Sequence, residues 1–569
     1  MSDMVFRRNL LALARYDPSL GDRLADVEPD PSIKTVEART GVLVPVARIG
    51  DRVQPFHSLI DPEREAARIE EAQPAGGFIV AFGLGSGILL KRYLASSATT
   101  GILVVEYSAP RLRSVLEEID LSDLFADERF ALALDPSPAR LKELLLSIYV
   151  PPLAGDIRSI PLRARVDLDP EPFAQASRAL NGILGSISDD YSVQAFFGKL
   201  WFKNAVRNLF AAESLAAPLP RIRKAAVTAA GPSLESSMPA LFAAKDGGAF
   251  IIATDTSLPA LVGCGLVPDA VVSIDCQHIS YYHFLGGIPE TVPLVLDLAS
   301  PSTLHRLSAA PRFFSSGHPF CTYVSARWRP FPALDTSGGN VTHAALSLAE
   351  ALGAESALLA GADFSYPDGK SYARGTYIYN YFGERQDRLA PTESLFAAFM
   401  FRGAETSRED CRDEDGRRYS RYLTKPLVAY REHLERFAAS SPMEIVPLRG
   451  KGVEIRASRA ADAESAAAAR RKRERRIFAA GSASCPAADF LADYARDLAA
   501  LPRPRDPAIR YLTTLKSEER DLWMTLLPAA SAFQREMRGS IPDPADLLET
   551  TREWAIGAVE DALSELESR

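Results

Sequence analysis

Short apolar runs that end in polar residues alternate with amphipathic stretches along much of this chain. Residues 76–94 contain a buried run, a glycine-rich turn and a helical pattern, and residues 101–119 repeat the strand and helix. Strands and helices that alternate in this order are typical of a doubly wound parallel sheet. The pattern therefore predicts a Rossmann-like N-terminal domain over residues 61–195.

The same alternation resumes after a proline-bearing linker at residues 217–224. The apolar runs that follow the linker are AAVTAA, AFIIATDT, DAVVSID, VPLVLDL and SALLAGADF. In parallel sheets the carboxyl ends of the strands line the ligand crevice. We therefore predict a second α/β domain, the catalytic one, over residues 196–456.

The two ends of the chain have different patterns. Alternating apolar residues at 40–58 predict a small β-rich segment over residues 1–60. Ala, Arg, Glu and Leu at helical spacing predict a helical C-terminal domain over residues 457–569. Its basic run RRKRERR, residues 470–476, either contacts an acidic partner or forms a solvated helix face. The predicted fold class is α/β, with two Rossmann-like doubly wound domains and a C-terminal α-helical region.

Composition narrows the classes of function. With 47% hydrophobic and 24% charged residues the chain should fold, and a net charge of −8 argues against wrapping nucleic acid or coating an anionic membrane. No apolar stretch approaches the roughly 20 residues that span a bilayer, and the N-terminus lacks the pattern of a signal peptide. The five scattered cysteines fit a reducing compartment. We therefore expect a cytoplasmic protein with neither a nucleic-acid partner nor a membrane span.

The first glycine cluster, FGLGSG at residues 82–87, has the GxGxG form. Glu106 lies about twenty residues beyond Gly85, where a carboxylate could accept hydrogen bonds from ribose hydroxyls. That layout is typical of nucleotide-binding Rossmann folds. A tight turn alone would also require the glycines, so the sequence leaves both interpretations open.

A second glycine turn, Gly231-Pro232-Ser233, lies between a strand and a helix. It places backbone N–H groups, a hydroxyl and the positive end of a helix dipole at one point. More polar residues follow neighbouring strands or open helices: Asp255, Thr256, Asp275, Gln277, His278, Ser337, Gly338, Asn340, Asp363, Tyr366 and Tyr372. Each alone fits a cap or a turn, but together they predict a ligand crevice.

The segments AAGPSLESSMPALF, IIATDTSLPALVGCGLVPDAVVSIDCQH and TSGGNVTHAALSLAEALGAESALLAGADFSYPDGKSYA resemble the motility-associated factor (Maf) family of flagellin glycosyltransferases, whose central domain is called MptE-like. The resemblance is strong over residues 200–455. The same domain is similar to bacterial sialyltransferases with a CMP-activated donor. The resemblance implies transfer of a nonulosonic acid (pseudaminic, legionaminic or a related acid) from CMP to Ser or Thr of flagellin. This step would be required for flagellar assembly and motility, and no metal or further cofactor is expected.

The resemblance also implies roles for the residues of these turns. The Gly231-Pro232-Ser233 turn would hold the CMP moiety, and Ser337 and Gly338 would contact the phosphate or carboxylate of the donor. Tyr366 and Tyr372 would donate hydrogen bonds to the departing phosphate. The match at Tyr366 needs a shift of one residue, because this chain has DFSY where the sialyltransferases have DFY. We assign Asp363 and His278 to the catalytic set with these tyrosines, and Asp255, Thr256, Asp275, Gln277 and Asn340 to the binding set.

This chain departs from the sialyltransferase pattern in two ways. The sialyltransferases have a histidine shortly after the second tyrosine, whereas this chain has none between His343 and His433. His278 is the substitute we name as general base. Asp255 and Asp275 also stand where those enzymes have amide side chains. A carboxylate near an anionic donor must accept hydrogen bonds or bind Mg²⁺, and we favour hydroxyl contacts to ribose or cytosine.

Two other functions stay open at this point. MptE-like domains also occur in pterin diphosphokinases, which would use ATP and Mg²⁺ with Asp255 and Asp275 as metal ligands. The second alternative is a non-catalytic protein that binds a nucleotide sugar and flagellin during assembly.

Overall fold

The computed structural model describes residues 2–214, 216–309, 311–403, 405–413, 415–457, 478–505, 511–512, 514–537 and 543–568. The chain forms two compact units, one from residues 1–198 and 500–554 and the other from residues 199–499 and 555–569. In this division the C-terminal residues are shared between the units. The basic run at 470–476 lies outside the described residues. No helix in the described ranges combines the length and the apolar character needed to cross a membrane.

The chain begins with two helices, α1 (Ser2–Tyr16) and α2 (Pro18–Ala25). An antiparallel sheet of β1 (Ile33–Glu37), β2 (Leu43–Ile49) and β3 (Arg52–Pro55) follows them. The β-rich assignment for residues 1–60 therefore does not describe the first 25 residues. The first of these helices forms because the residues that it buries recur at helical spacing. Phe6, Asn9 and Leu13 are all buried on one side of α1.

The first unit contains a four-stranded parallel sheet. Its strands are β4 (Gly77–Phe82), β5 (Thr99–Glu106), β6 (Phe130–Leu134) and β7 (Ile157–Pro161), in the order β6-β5-β4-β7. The helices between residues 62 and 212 are α3 (Pro62–Ala72), α4 (Ile88–Leu94), α5 (Ala109–Glu118), α6 (Ser122–Ala126), α7 (Pro138–Ile148), α8 (Pro151–Ala154), α9 (Arg163–Val166) and α10 (Pro170–Ala212). Both faces of the sheet are covered by apolar clusters, as a parallel sheet requires.

The second unit contains a seven-stranded parallel sheet. Its strands are β8 (Lys224–Thr228), β9 (Phe250–Thr254), β10 (Ala270–Ser273), β11 (Leu294–Asp297), β12 (Arg312–Phe314), β13 (Ser356–Ala360) and β17 (Glu444–Pro447). Its helices up to residue 440 are α11 (Leu234–Asp246), α12 (Leu258–Gly263), α13 (Pro319–Arg327), α14 (Val341–Ala351), α15 (Tyr377–Gly383), α16 (Thr392–Met400) and α17 (Lys425–Ser440). Two 3-10 helices, His278–Phe284 and Leu304–Leu307, follow β10 and β11.

A small antiparallel sheet stands apart from this large sheet. It consists of β14 (Tyr366–Pro367), β15 (Thr406–Arg412) and β16 (Arg418–Thr424), in the order β14-β16-β15. The described helices after residue 478 are α18 (Ala487–Ala500), α19 (Ser517–Glu536) and α20 (Pro544–Glu567). Parallel sheets in both halves and a helical C-terminus confirm the predicted fold class.

Candidate active site

The large sheet reverses its strand order between β8 and β13. From β8 the chain continues through β9, β10, β11 and β12 on one side, whereas β13 lies on the other side of β8 and is followed outward by β17. The loops that leave the carboxyl ends of β8 and β13 therefore diverge. Open parallel sheets bind ligands at such a switch point. The Gly231-Pro232-Ser233 turn and Asp363 lie in these two loops.

Asp363 and the glycine turn are in direct contact. The Ser233 N–H donates to Asp363 Oδ2 at 2.8 Å, and the Gly231 N–H donates to the Gly361 carbonyl at 2.8 Å. A Cβ atom on Gly231 would lie 2.2 Å from Asp363 Oδ2 and 2.6 Å from the Gly361 oxygen. Residue 231 must therefore be glycine because the backbone and a carboxylate approach it so closely.

A third loop, which the sequence analysis did not consider, closes over Asp363. The Val453 N–H donates to the Asp363 carbonyl at 2.8 Å, and Cβ atoms on Gly450 or Gly452 would collide with Ser233 or Asp363. Burial raises the pKa of Asp363, although hydrogen bonds from Ser233 and Gly452 favour its ionised form. In this arrangement Asp363 holds the glycine turn in place, and its predicted catalytic role remains a prediction. Paired glycines around Lys451 were the sequence signal for this loop.

Asp255 and Asp275 form an acidic side of the site. Asp255 is buried, and its oxygens accept from the Thr256 N–H at 2.7 Å, the Thr256 hydroxyl at 3.0 Å and the Ser273 hydroxyl at 2.7 Å. Asp275 accepts from the Gln277 N–H at 2.9 Å. Burial, together with the charge of Asp255, raises the pKa of Asp275. The two carboxylates therefore lie close enough to repel each other.

Three tyrosines and an arginine form a second group at the site. Burial raises the pKa of Tyr366, Tyr372 and Tyr377, while the positive charge of Arg402 opposes that effect at each of them. Both Asp255 and Asp275 also act on Tyr377, so this tyrosine lies within electrostatic range of the cation and of both carboxylates. A phenol with a raised pKa stays protonated at neutral pH and can donate a hydrogen bond to an anion.

Arg402 and Tyr377 were not predicted from the sequence. Arg402 is exposed, its guanidinium lies 4.2 Å from the centre of the Phe399 ring, and it makes no ion pair with a carboxylate in the described part of the chain. The Ala373 N–H donates to the Ala230 carbonyl at 2.8 Å, which ties the tyrosine loop to the glycine turn. The predicted tyrosines therefore lie beside the predicted nucleotide turn.

Some polar residues of the turn at residues 335–340 have structural roles. Asn340 caps α14, because its side-chain oxygen accepts from the His343 N–H at 3.0 Å while its amide donates to the Gly338 carbonyl at 3.0 Å. The Ser337 N–H donates to Asp335 Oδ1 at 2.9 Å. Ser337 is exposed, whereas Gly338 is buried. Their predicted contacts with the donor remain predictions.

Tyr430, a third residue that was not predicted from the sequence, connects this turn to the rest of the site. A Cβ atom on Gly339 would lie 3.1 Å from the Tyr430 ring, and Tyr430 interacts electrostatically with Asp275 and Tyr366.

Gln277 and His278 are exposed at the start of the 3-10 helix, and His278 makes no hydrogen bond within the described ranges. Among those ranges no group of three or more His, Cys, Asp or Glu side chains is arranged to hold a metal ion.

The N-terminal glycine loop is filled by side chains of its own unit. Glu106 is buried and accepts from the Leu84 N–H at 2.8 Å and the Tyr107 N–H at 2.9 Å, and it pairs with Arg165 at 2.8 Å. His57 Nε2 accepts from the Ser86 N–H at 3.1 Å. The carboxylate and the loop N–H groups that would bind a nucleotide therefore already have partners, which favours the structural interpretation of the glycines.

We expect Gly85→Ala to destabilise the protein more than Gly50→Ala. Both glycines have positive φ, +57° and +60°, but a Cβ atom on Gly85 would lie 2.4 Å from His57 Nε2, while nothing lies within 4 Å of the position on Gly50. Backbone strain costs about 1–2 kcal/mol at either position, and displacement of His57 and Leu162 adds about 1–2 kcal/mol at Gly85. Urea denaturation of both variants measures the difference. Equal losses in the free energy of unfolding would contradict the conclusion that side chains fill this loop.

The chain is similar in sequence to known proteins. The family described as "6-hydroxymethylpterin diphosphokinase MptE-like" matches residues 201–369. Two uncharacterized proteins of Treponema pallidum (strain Nichols) are similar in sequence, one with 46% identity over 124 residues and one with 30% identity over 177 residues. These matches cover 21% and 31% of this chain, and 44% and 84% of the two relatives. The predicted MptE-like domain is thereby confirmed.

A solved structure is similar over the whole chain. It is the Maf glycosyltransferase from Magnetospirillum magneticum AMB-1, with a TM-score of 0.57 and 15% sequence identity. The likeness covers 100% of this chain and 96% of that one. At this identity it concerns the fold.

Proposed function

Because this chain belongs to the family of proteins that carry an MptE-like domain, and because its fold is that of a Maf glycosyltransferase, we propose that it is a glycosyltransferase that uses a CMP-activated nonulosonic acid. The observation that carries the proposal is the cluster of Tyr366, Tyr372 and Tyr377 beside Arg402, next to the Gly231-Pro232-Ser233 turn. Protonated phenols and an arginine that makes no ion pair with a described carboxylate suit the phosphate and carboxylate of such a donor.

The chemistry that this cluster supports is the departure of CMP. As the bond between the anomeric carbon and the phosphate oxygen breaks, positive charge develops on the sugar and negative charge on the phosphate. The tyrosine hydroxyls donate to the leaving phosphate, and Arg402 balances its charge. Asp255, already oriented by Thr256 and Ser273, accepts hydrogen bonds from the ribose hydroxyls or from the cytosine amino group.

We take a Ser or Thr hydroxyl of flagellin as the acceptor and the cytoplasm as the location of the reaction. The support for this part is the resemblance of the three sequence segments to the flagellin glycosyltransferases. Modified flagellin would then be required for flagellar assembly and motility.

A diphosphokinase is the second candidate. The description of the matching family names a pterin diphosphokinase, and Asp255 and Asp275 lie close enough to repel each other, as carboxylates that share a cation often do. In that function ATP and Mg²⁺ would replace the nucleotide sugar.

We expect CMP to raise the Tm of the purified chain and ATP with Mg²⁺ to leave it unchanged. A ligand at 100 times its Kd stabilises the folded state by about 2.7 kcal/mol, which a thermal shift assay resolves. The chain should also add the mass of one nonulosonic acid to unmodified flagellin, read by intact-protein mass spectrometry, and Asp255→Ala should weaken this transfer. Stabilisation by ATP with Mg²⁺ alone would favour the diphosphokinase instead.

A further inference from the structure

His283 is a histidine at the site that none of the predicted roles uses. It lies in the 3-10 helix His278–Phe284, which begins three residues after Asp275. Its ring packs edge-on against Tyr377, with the ring centres 4.6 Å apart and the planes at 80°. Tyr377 is the tyrosine that interacts electrostatically with Arg402 and with both carboxylates. His283 therefore belongs to the same cluster as the tyrosines.

The two nitrogens of the His283 ring differ in their surroundings. Nδ1 is enclosed by protein and has no hydrogen-bond partner in the described part of the chain, whereas Nε2 is not enclosed in this way. A buried polar atom without a partner is costly, and native proteins retain few of them.

Asp275 supplies the charge that a protonated imidazole needs. His283 and Asp275 interact electrostatically, so a positive charge on the ring is stabilised by this carboxylate. Two groups from neighbouring elements therefore interact with His283 in the described part of the chain: Asp275, from the loop after β10, and Tyr377, from α15. The arrangement matches a general base that has a carboxylate nearby to balance the charge of its protonated form.

The geometry points to His283 as the general base of the transfer, an inference that rests on the proposed glycosyltransferase function. Nε2 takes the proton from the acceptor hydroxyl while the hydroxyl oxygen forms a bond to the anomeric carbon. The bond between that carbon and the phosphate oxygen breaks, and CMP leaves with the electron pair. Asp275 acts as a positioning residue that stabilises the imidazolium. His283, rather than His278, then fills the role that the sequence analysis left to His278.

The test is the transfer rate of the full chain with His283→Gln, with His433→Gln as the matched control. His433 is a partly exposed histidine of α17 in the same unit. With CMP-activated nonulosonic acid and unmodified flagellin, we expect kcat to fall about 100-fold or more for His283→Gln, the usual contribution of a general base, and to be retained by the control. The affinity for CMP, measured by calorimetry, should change by less than about threefold, since a base contributes little to binding the donor.

A chemical rescue separates catalysis from structure. Added imidazole should restore part of the kcat of His283→Ala, because a small base can enter the space that the ring leaves. A wild-type kcat in His283→Gln would overturn the inference, and so would a combined loss of CMP affinity and Tm without rescue. If the wild-type chain binds no CMP and transfers no sugar, the proposed function itself fails and His283 loses its role with it.

Discussion

Arg402→Glu should lower kcat/KM for the nucleotide-sugar donor by about 10²- to 10⁴-fold while the protein stays folded. A charge-assisted hydrogen bond contributes about 1.5–3 kcal/mol, and the reversed charge adds repulsion of about the same size, so the total is about 3–6 kcal/mol. Arg402 is exposed and makes no ion pair in the described residues, so the folded state loses little. The initial rate of transfer at varied donor concentration measures the effect.

Arg388→Glu is the matched control for this prediction. Arg388 is exposed in the loop between α15 and α16, and it makes no ion pair within the described ranges. The two variants have the same net charge, so long-range attraction of the anionic donor falls equally in both. Arg402→Lys should recover part of the activity, because it restores the charge but not the planar, forked guanidinium. A donor KM and kcat in Arg402→Glu equal to those of Arg388→Glu would remove Arg402 from the site.

The strand and glycine patterns predicted much of this fold because they are local. Apolar runs that end in polar residues mark buried parallel strands, and both sheets follow them. A sheet edge collects residues that are distant in sequence, which is why Ser233 and Asp363, 130 residues apart, could be assigned to one crevice and are hydrogen-bonded. The sequence pattern did not predict the helices at residues 2–25 because Arg and Asn interrupt their apolar residues.

The residues that were missed share one property. Arg402, His283 and Tyr430 do not directly follow a strand of the large sheet, and they reach the site through tertiary packing rather than through a strand end. Arg402 follows α16, His283 lies inside a 3-10 helix and Tyr430 lies inside α17. Local patterns contain no information on which face of these segments meets the sheet edge. The same limit applies to the FGLGSG loop. His57, which fills this loop, lies 28 positions before Gly85 and is not part of the local glycine pattern.

Gly231→Ala should cause the largest combined loss of stability and donor binding. A Cβ atom there would lie 2.2 Å from Asp363 Oδ2 and 2.6 Å from the Gly361 carbonyl oxygen, and neither atom belongs to a long flexible side chain. Overpacking costs about 1–3 kcal/mol, and a weakened hydrogen bond between the Ser233 N–H and the buried carboxylate adds about 1–3 kcal/mol. We therefore expect a loss of about 2–6 kcal/mol in the free energy of unfolding, measured by urea denaturation.

Gly263→Ala controls for the extra methyl group, because nothing lies within 4 Å of that position at the end of α12. It should be neutral or stabilise by up to about 1 kcal/mol. The affinity for CMP then decides what the glycine turn does. If Gly231→Ala is destabilised but binds CMP as tightly as Gly263→Ala, then the turn only connects a strand to a helix. A loss of CMP affinity of more than about tenfold at a temperature where the variant is fully folded would assign the turn to the nucleotide, since the collision of the methyl group with Asp363 and Gly361 shifts the turn that carries the Ser233 hydroxyl.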